Sequence, residues 1–377
     1  MSVQRNILLN PGPTTTTDTV KRALVVPDIC PREKEFGELM ARVNRKLVEV
    51  VHGGDEYVAA IFAGSGTASV EACVSSVVPH DKRILIVDNG AYGQRMIEIA
   101  QTHQIDVVPY CIPWGDYPDV AAIESLLRQH QGQVSHLAIV HHETTTGMLN
   151  PIEACTSLAH QYGVEIIVDA VSSYAGLPIN IDELELDYLI SSANKCIQGM
   201  AGLSFVICRR QSLLQSGQVQ PRSYYLNLYE QYCSLEAKHQ TRFTPPVQVF
   251  YALDQALTEY FEETERSRYR RYMDSNDELV NGLRQLGFRF LLPADQRSRL
   301  LTAVIEPTHP AYSYDQMHDY LYERGFTIYP GKGAKERTFR LANIGQIDQD
   351  DIDAFLDVLK QHLVGTGMIG HLYDNAG

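Results

Sequence analysis

Short apolar runs alternate with segments of helical periodicity through the first two-thirds of the chain. Residues 57–63 (YVAAIFA), 83–88 (RILIVD), 136–140 (HLAIV), 165–169 (EIIVD), 188–191 (YLIS) and 203–208 (LSFVIC) are near-continuous apolar runs. That is the pattern of strands covered on both faces. Between them, residues 67–78, 92–103, 121–129 and 152–162 predict helices. Strand–helix alternation of this kind calls for right-handed βαβ crossovers and a largely parallel sheet. The pattern changes after residue 208. Residues 224–236 are rich in Tyr and Leu, Thr244-Pro245-Pro246 punctuates the chain, and 248–286 reads as a long helical connector. Beyond it, strands are expected at 288–292, 301–306, 327–329 and 338–342, with helices near 314–324 and 349–363. The expectation is a large α/β domain over residues 16–275 and a smaller α+β domain over 276–377. Residues 366–377 show no clear pattern.

Composition narrows the function. A chain of 377 residues suits about two domains of roughly 150 residues each. With 46 acidic against 32 basic residues the net charge is −14, and no basic run exceeds a pair. Phosphate-backbone binding needs clustered Lys and Arg, so a dedicated nucleic-acid surface is disfavoured. A small anion is still possible, because a few local donors outweigh the net field inside a pocket. The seven cysteines are widely spaced with no C-x-x-C, which indicates neither a zinc site nor a disulfide framework. The start, Met1-Ser-Val-Gln-Arg-Asn6, lacks the apolar stretch of a signal peptide, and no window approaches ~18 apolar residues. A soluble, cytoplasmic protein without membrane partners is expected.

Several strand ends carry residues suited to chemistry. Lys195, one of only nine lysines, follows the run 188–191 and precedes a glycine-containing loop. A lysine buried there loses its proton readily and can serve as Schiff-base nucleophile and general base. The alternative is a side chain that snorkels to solvent. Asp169 ends 165–169 at the same sheet edge, where open α/β sheets bind ligands. It can pair with a protonated ring nitrogen or simply cap the next turn. Gly64-Ser65-Gly66-Thr67 joins a strand to a helix, as a phosphate cradle does and as a tight turn with a Thr N-cap also does. It lacks Walker spacing, and Gly331-Lys332-Gly333 has no following Ser or Thr. Tyr92 follows another strand and can stack on a planar ring, or be one ordinary tyrosine among 21. His141-His142-Glu143-Thr144-Thr145-Thr146-Gly147 ends a further strand; with no third clustered ligand, a metal is not expected. Arg340, in a small-domain strand, offers a bidentate fork for an anion or a structural ion pair.

Each of these signals is ambiguous alone, but their order along the chain is distinctive. Together with Leu8-Leu-Asn-Pro-Gly-Pro-Thr-Thr15, Asn89-Gly-Ala-Tyr-Gly93, the Thr-rich turn, Ile190-Ser-Ser-Ala-Asn-Lys-Cys-Ile-Gln-Gly199, Arg242-Phe-Thr-Pro-Pro246 and Ile328-Tyr-Pro-Gly-Lys332, they give a chain that resembles the class V aminotransferases. These are pyridoxal 5'-phosphate enzymes of the aspartate-aminotransferase fold (type I), and the resemblance spans about residues 5–365. It implies pyridoxal phosphate as cofactor, Lys195 as its Schiff-base lysine and Asp169 on the pyridine nitrogen. It further implies Tyr92 against the ring, Thr144 at the phenolic oxygen, and Ser65, Gly66 and Thr67 at the phosphate. Thr244 would reach that phosphate from the other subunit of a homodimer. Arg340 would hold the acidic end of the substrate, with residues 1–15 packing near the active site. The resemblance is nearest to members that pass the amino group of 2-aminoethylphosphonate to pyruvate, giving phosphonoacetaldehyde and L-alanine in phosphonate degradation. Transamination of alanine, serine or glyoxylate is the alternative. A cysteine desulfurase is disfavoured because every cysteine precedes residue 234.

Overall fold

In the computed structural model, which describes residues 5–333 and 335–373, the large sheet has seven strands. In chain order they are β1 (Tyr57–Ala63), β2 (Arg83–Asp88), β3 (Asp106–Cys111), β4 (Val134–Val140), β5 (Glu165–Asp169), β6 (Tyr188–Ser192) and β7 (Leu203–Arg209). Their spatial order is β1-β7-β6-β5-β4-β2-β3. All pairings are parallel except those of β7, which runs antiparallel to both β1 and β6. The sheet is thus mixed by a single reversed strand. Alternate residues feed opposite cores: Leu85 packs with Phe36, Val43, Ile139 and Phe250 on one face, while Ile84 and Ile86 pack with Val70, Met96 and Ile190 on the other. Two covered faces explain why these strands read as unbroken apolar runs.

Three more strands, β8 (Leu301–Ile305), β9 (Tyr329–Pro330) and β10 (Thr338–Ala342), form an antiparallel sheet in the order β8-β10-β9. Phe288, Phe339, Leu341, Phe355 and Leu359 fill its core, together with Ile7 and Leu9. Ile7–Leu8 pairs parallel with Phe326–Thr327, so the N-terminal segment belongs to this second body. Residues 1–4 lie outside the described residues, as do 374–377 of the patternless C-terminal stretch.

The connector 248–286 is two helices, Val247–Glu263 and Glu265–Gln285. Thr264 breaks them at φ 72, and its hydroxyl caps the second by accepting from Ser267 N at 3.3 Å. The second helix runs through residues 275 and 276 without interruption. The expected strand 288–292 is reduced to a bridge between Phe290 and Val304, and 327–329 divides between two different sheets. Strand β3 and the helices Lys34–Glu49 and Leu228–Lys238 add to the expected elements. Among the described residues, no helix is long and apolar enough to cross a membrane.

Candidate active site

Strands β1, β2, β4, β5 and β6 point their carboxyl ends toward one edge of the large sheet, and the loops leaving that edge build one cavity of about 180 Å³. Ser65, Gly66, Thr67, Tyr92, Asp169 and Lys195 line it, with Arg95, Val171, Ser192 and Asn194. Six of the expected site residues therefore meet in one place. Larger hollows occur between the helices Lys34–Glu49 and Leu228–Lys238 and on the small body, but neither contains Lys195 or Asp169.

Lys195 sits on the turn after β6, and its Nζ donates to the carbonyl of Pro11. Burial pulls its pKa down to about 8, against the pull of Asp169 in the other direction. Gly12 presses on the same amine: a Cβ there would lie 2.7 Å from Nζ. Thr14 Oγ1 donates to the Lys195 carbonyl at 3.3 Å. The N-terminal segment thus forms a wall of the site. Asp169, at the end of β5, is 5% exposed, and burial pushes its carboxyl up to about 6. The Val171 N–H donates to it at 2.9 Å, and Arg95 and Lys195 also favour its charged form.

Ser65 precedes the helix Gly66–Val77, so the free N–H groups of its first turn open into the cavity. Gly66 is closely packed, since a Cβ would meet both Val171 methyls at 3.0 and 3.1 Å. Arg95 donates to Thr67 Oγ1 at 3.1 Å, and its guanidinium lies 4.8 Å from the Tyr92 ring centroid. A cation beside a helix N-terminus makes this corner strongly anion-seeking.

The Thr-rich turn packs against Tyr92 without lining the cavity itself. Glu143 is fully buried and accepts from Thr145 N (3.0 Å), Thr145 Oγ1 (2.5 Å) and Tyr92 N (3.1 Å). It thereby caps the helix Ala91–Thr102, whose N-cap Gly90 supplies no side chain. The neighbouring Thr144 hydroxyl is buried and has no hydrogen-bond partner among the described residues. Ser192 Oγ is likewise buried without a partner among the described residues. The Thr144 carbonyl accepts from Arg340 Nη1 at 3.0 Å, which brings the small body's arginine to this turn. Arg340 is 5% exposed, and burial lowers its pKa. Thr244 is exposed and does not line the cavity of its own chain.

The two histidines are structural. His141 Nδ1 bonds Ser173 Oγ at 3.0 Å; His142 bonds the Ser172 carbonyl at 3.1 Å and Ser298 Oγ at 2.7 Å. Burial drives them to about 3 and about 4, so both stay neutral. Arg95, Ser192 and Glu143 are the site residues that sequence reasoning missed.

This fold and site define an aminotransferase class. The aminotransferase class-V family model matches residues 21–346, and the chain belongs to that family. A Klebsiella pneumoniae relative named 2-aminoethylphosphonate–pyruvate transaminase is 43% identical over 359 residues, covering 94% of this chain and 97% of the relative. A Bacillus cereus relative of the same name is 40% identical over 367 residues, covering 97% and 100%. Among solved structures, alanine–glyoxylate aminotransferase from Nostoc sp. superposes with a TM-score of 0.89 at 24% identity, covering 96% of both chains. Pyridoxamine–pyruvate aminotransferase from Mesorhizobium loti gives 0.87 at 22% identity, covering 97% and 93%. The fold is the type I aminotransferase fold, an α/β architecture with a mixed, mainly parallel sheet.

Proposed function

We propose that this chain transfers the amino group of 2-aminoethylphosphonate to pyruvate, giving phosphonoacetaldehyde and L-alanine, with pyridoxal 5'-phosphate as its cofactor. The observation that carries the chemistry is the convergence of Lys195, a raised Asp169 and a cationic helix N-terminus in one cavity. The substrate assignment draws on relatives of that name along nearly the whole chain.

The residues fit the cofactor. Two buried hydroxyls, Thr144 Oγ1 and Ser192 Oγ, have no hydrogen-bond partner among the described residues, and Ser192 lines the cavity. When bound, pyridoxal phosphate supplies an aldehyde that takes up the amino group and a protonated ring that draws off electrons as the adjacent carbon loses its proton. Ser65, Gly66 and Thr67 would hold the phosphate, with Arg95 adding charge. Asp169 would keep the proton on the ring nitrogen, because a buried carboxylate gains most from a cationic partner. Tyr92 would face the ring and Thr144 would hydrogen-bond its phenolic oxygen. Lys195 would hold the cofactor at rest. As a free amine, it would take the proton from the amine-bearing carbon of the donor and carry it through the transfer. A lysine near pKa 8 can do both at neutral pH. Arg340 binds the phosphonate in one half-reaction and the pyruvate carboxylate in the other, since one guanidinium fork suits both.

In this reading residues 16–275 carry the cofactor and 276–377 bring the anion holder. Thr244 serves the neighbouring subunit of a homodimer, in keeping with its exposure here. The seven unpaired thiols suit a reducing, cytoplasmic setting. The test is alanine formation from pyruvate with different donors. 2-Aminoethylphosphonate should support it and taurine and β-alanine should not. Efficient use of L-serine with no response to the aminophosphonate would reject the assignment.

A further inference from the structure

Arg340 lies mid-strand in β10, and the register places it directly opposite Tyr329 on one flank and Ala303 on the other. Opposed residues of antiparallel strands share a face and touch. The Tyr329 ring therefore meets the guanidinium, with Cζ 4.9 Å from the ring centroid, while the opposite position holds only the small side chain of Ala303. Two main-chain carbonyls fix the guanidinium in its plane: Nε donates to Pro330 at 3.0 Å and Nη1 to Thr144 at 3.0 Å. One comes from the small body and the other from the large. Of the five N–H groups of a guanidinium, one on Nη1 and two on Nη2 then remain. One from each nitrogen can form the parallel pair along the η edge that grips two oxygens of a carboxylate or a phosphonate.

We propose that Tyr329 is a positioning residue for the substrate's anion, stacking on Arg340 so that the Nη1–Nη2 edge stays turned toward the reacting centre. The proposal rests on the reading of Arg340 as the anion holder. An aromatic face suits this task because it restrains the guanidinium without using any N–H group. A carboxylate in the same place would compete with the substrate for the η edge. Tyr329 is 42% exposed, so burial does not hold it; its strand is pinned instead. Gly331 N donates to the Thr338 carbonyl at 2.8 Å, an approach a Cβ would obstruct. Gly333 lies against the ring of Trp114, and Lys335 pairs with Asp116 at 2.6 Å. Both contacts tie the segment to the large body.

The test compares Tyr329→Phe and Tyr329→Ala in the cofactor-loaded enzyme. KM and kcat are measured for 2-aminoethylphosphonate and pyruvate, and ethylphosphonate binding is measured by calorimetry. Tyr329→Ala should raise both KM values and the ethylphosphonate Kd about tenfold, with a much smaller change in kcat. Tyr329→Phe should stay within about twofold of the parent, because the ring is kept. An unchanged Tyr329→Ala would overturn the proposal. So would a loss confined to kcat, or a Tyr329→Phe as damaged as Tyr329→Ala, which would make the hydroxyl the working group. Arg340→Lys, measured alongside, separates the two levels. If it leaves ethylphosphonate binding intact, Arg340 is not the anion holder. If it weakens binding while Tyr329→Ala does not, only the role of Tyr329 falls.

Discussion

Lys195 and Asp169 are both held against their preferred protonation states, in opposite directions. Between pH 3.8 and about 6 the folded chain binds more protons at Asp169 than the unfolded chain does, so this group's contribution to stability falls as pH rises through that window. At Lys195 the unfolded chain binds more protons between about 8 and 10.5, so stability rises with pH there. At neutral pH both groups therefore cost stability in the cofactor-free protein, and a bound cofactor relieves the cost. Asp169→Asn keeps the acceptor for Val171 N–H but removes the buried charge. In the cofactor-free protein it should stabilise by about 2–3 kcal/mol at pH 7 and by almost nothing near pH 4, read from denaturant unfolding. A pH-independent difference would contradict this account of Asp169. Lys195→Ala should slow amino transfer by at least about 100-fold and leave no lysine for borohydride to fix to the cofactor. Asp169 was legible in the sequence because it ends an apolar strand, and Lys195 because it lies on the turn just after one. Arg95 and Ser192 were not, since nothing local marks them. Arg95 matters because its helix packs beside the helix Gly66–Val77, a long-range event.

At the scale of elements, the helix Ala91–Thr102 depends on a carboxylate 51 residues away in sequence. Gly90 has φ 179, an extended conformation open to any residue, so the requirement for glycine there is spatial. A Cβ would overlap the Glu143 carboxyl. Gly90→Ala should displace that carboxyl from Tyr92 N and Thr145, destabilise the fold by about 1–3 kcal/mol and weaken cofactor retention. Equilibrium unfolding and cofactor content after dialysis check both effects. Unchanged values would mean that the cap is not what seats Tyr92. The central strands were readable because burial on two faces makes them apolar throughout. Strand β3 escaped because it is the sheet's outer strand and several of its residues, Asp106, Pro109 and Cys111, are exposed. The reversal of β7 left no mark either, because a buried strand has the same apolar pattern in either direction. The connector read as one helix because the polar–apolar rhythm continues across Thr264, where only the backbone turns.

The whole molecule brings together parts of the chain that lie far apart in sequence. Pro11 and Gly12 reach Lys195, Arg340 reaches Thr144, and the exposed Thr244 does not line its own chain's cavity. If Thr244 serves the neighbouring subunit, mixed dimers of Lys195→Ala and Thr244→Asp chains should recover activity that neither variant has alone. Each such dimer contains a site with an intact lysine facing an intact Thr244. Absence of recovery would place Thr244 in its own subunit's site or outside both. The reading of net charge also sharpens at this scale. A chain at −14 can still attract anions locally, because Arg95 and Lys195 line one cavity and the charge of Arg340 acts on the same lysine. The central claim, that this cavity moves an amino group from an aminophosphonate to pyruvate, is tested most directly by a half-reaction. Cofactor-loaded enzyme mixed with 2-aminoethylphosphonate and no acceptor should lose its visible lysine–cofactor band and release an equimolar amount of phosphonoacetaldehyde, and pyruvate should then restore the band. A band that stays unchanged with the aminophosphonate but is lost with L-alanine or L-serine would contradict the account.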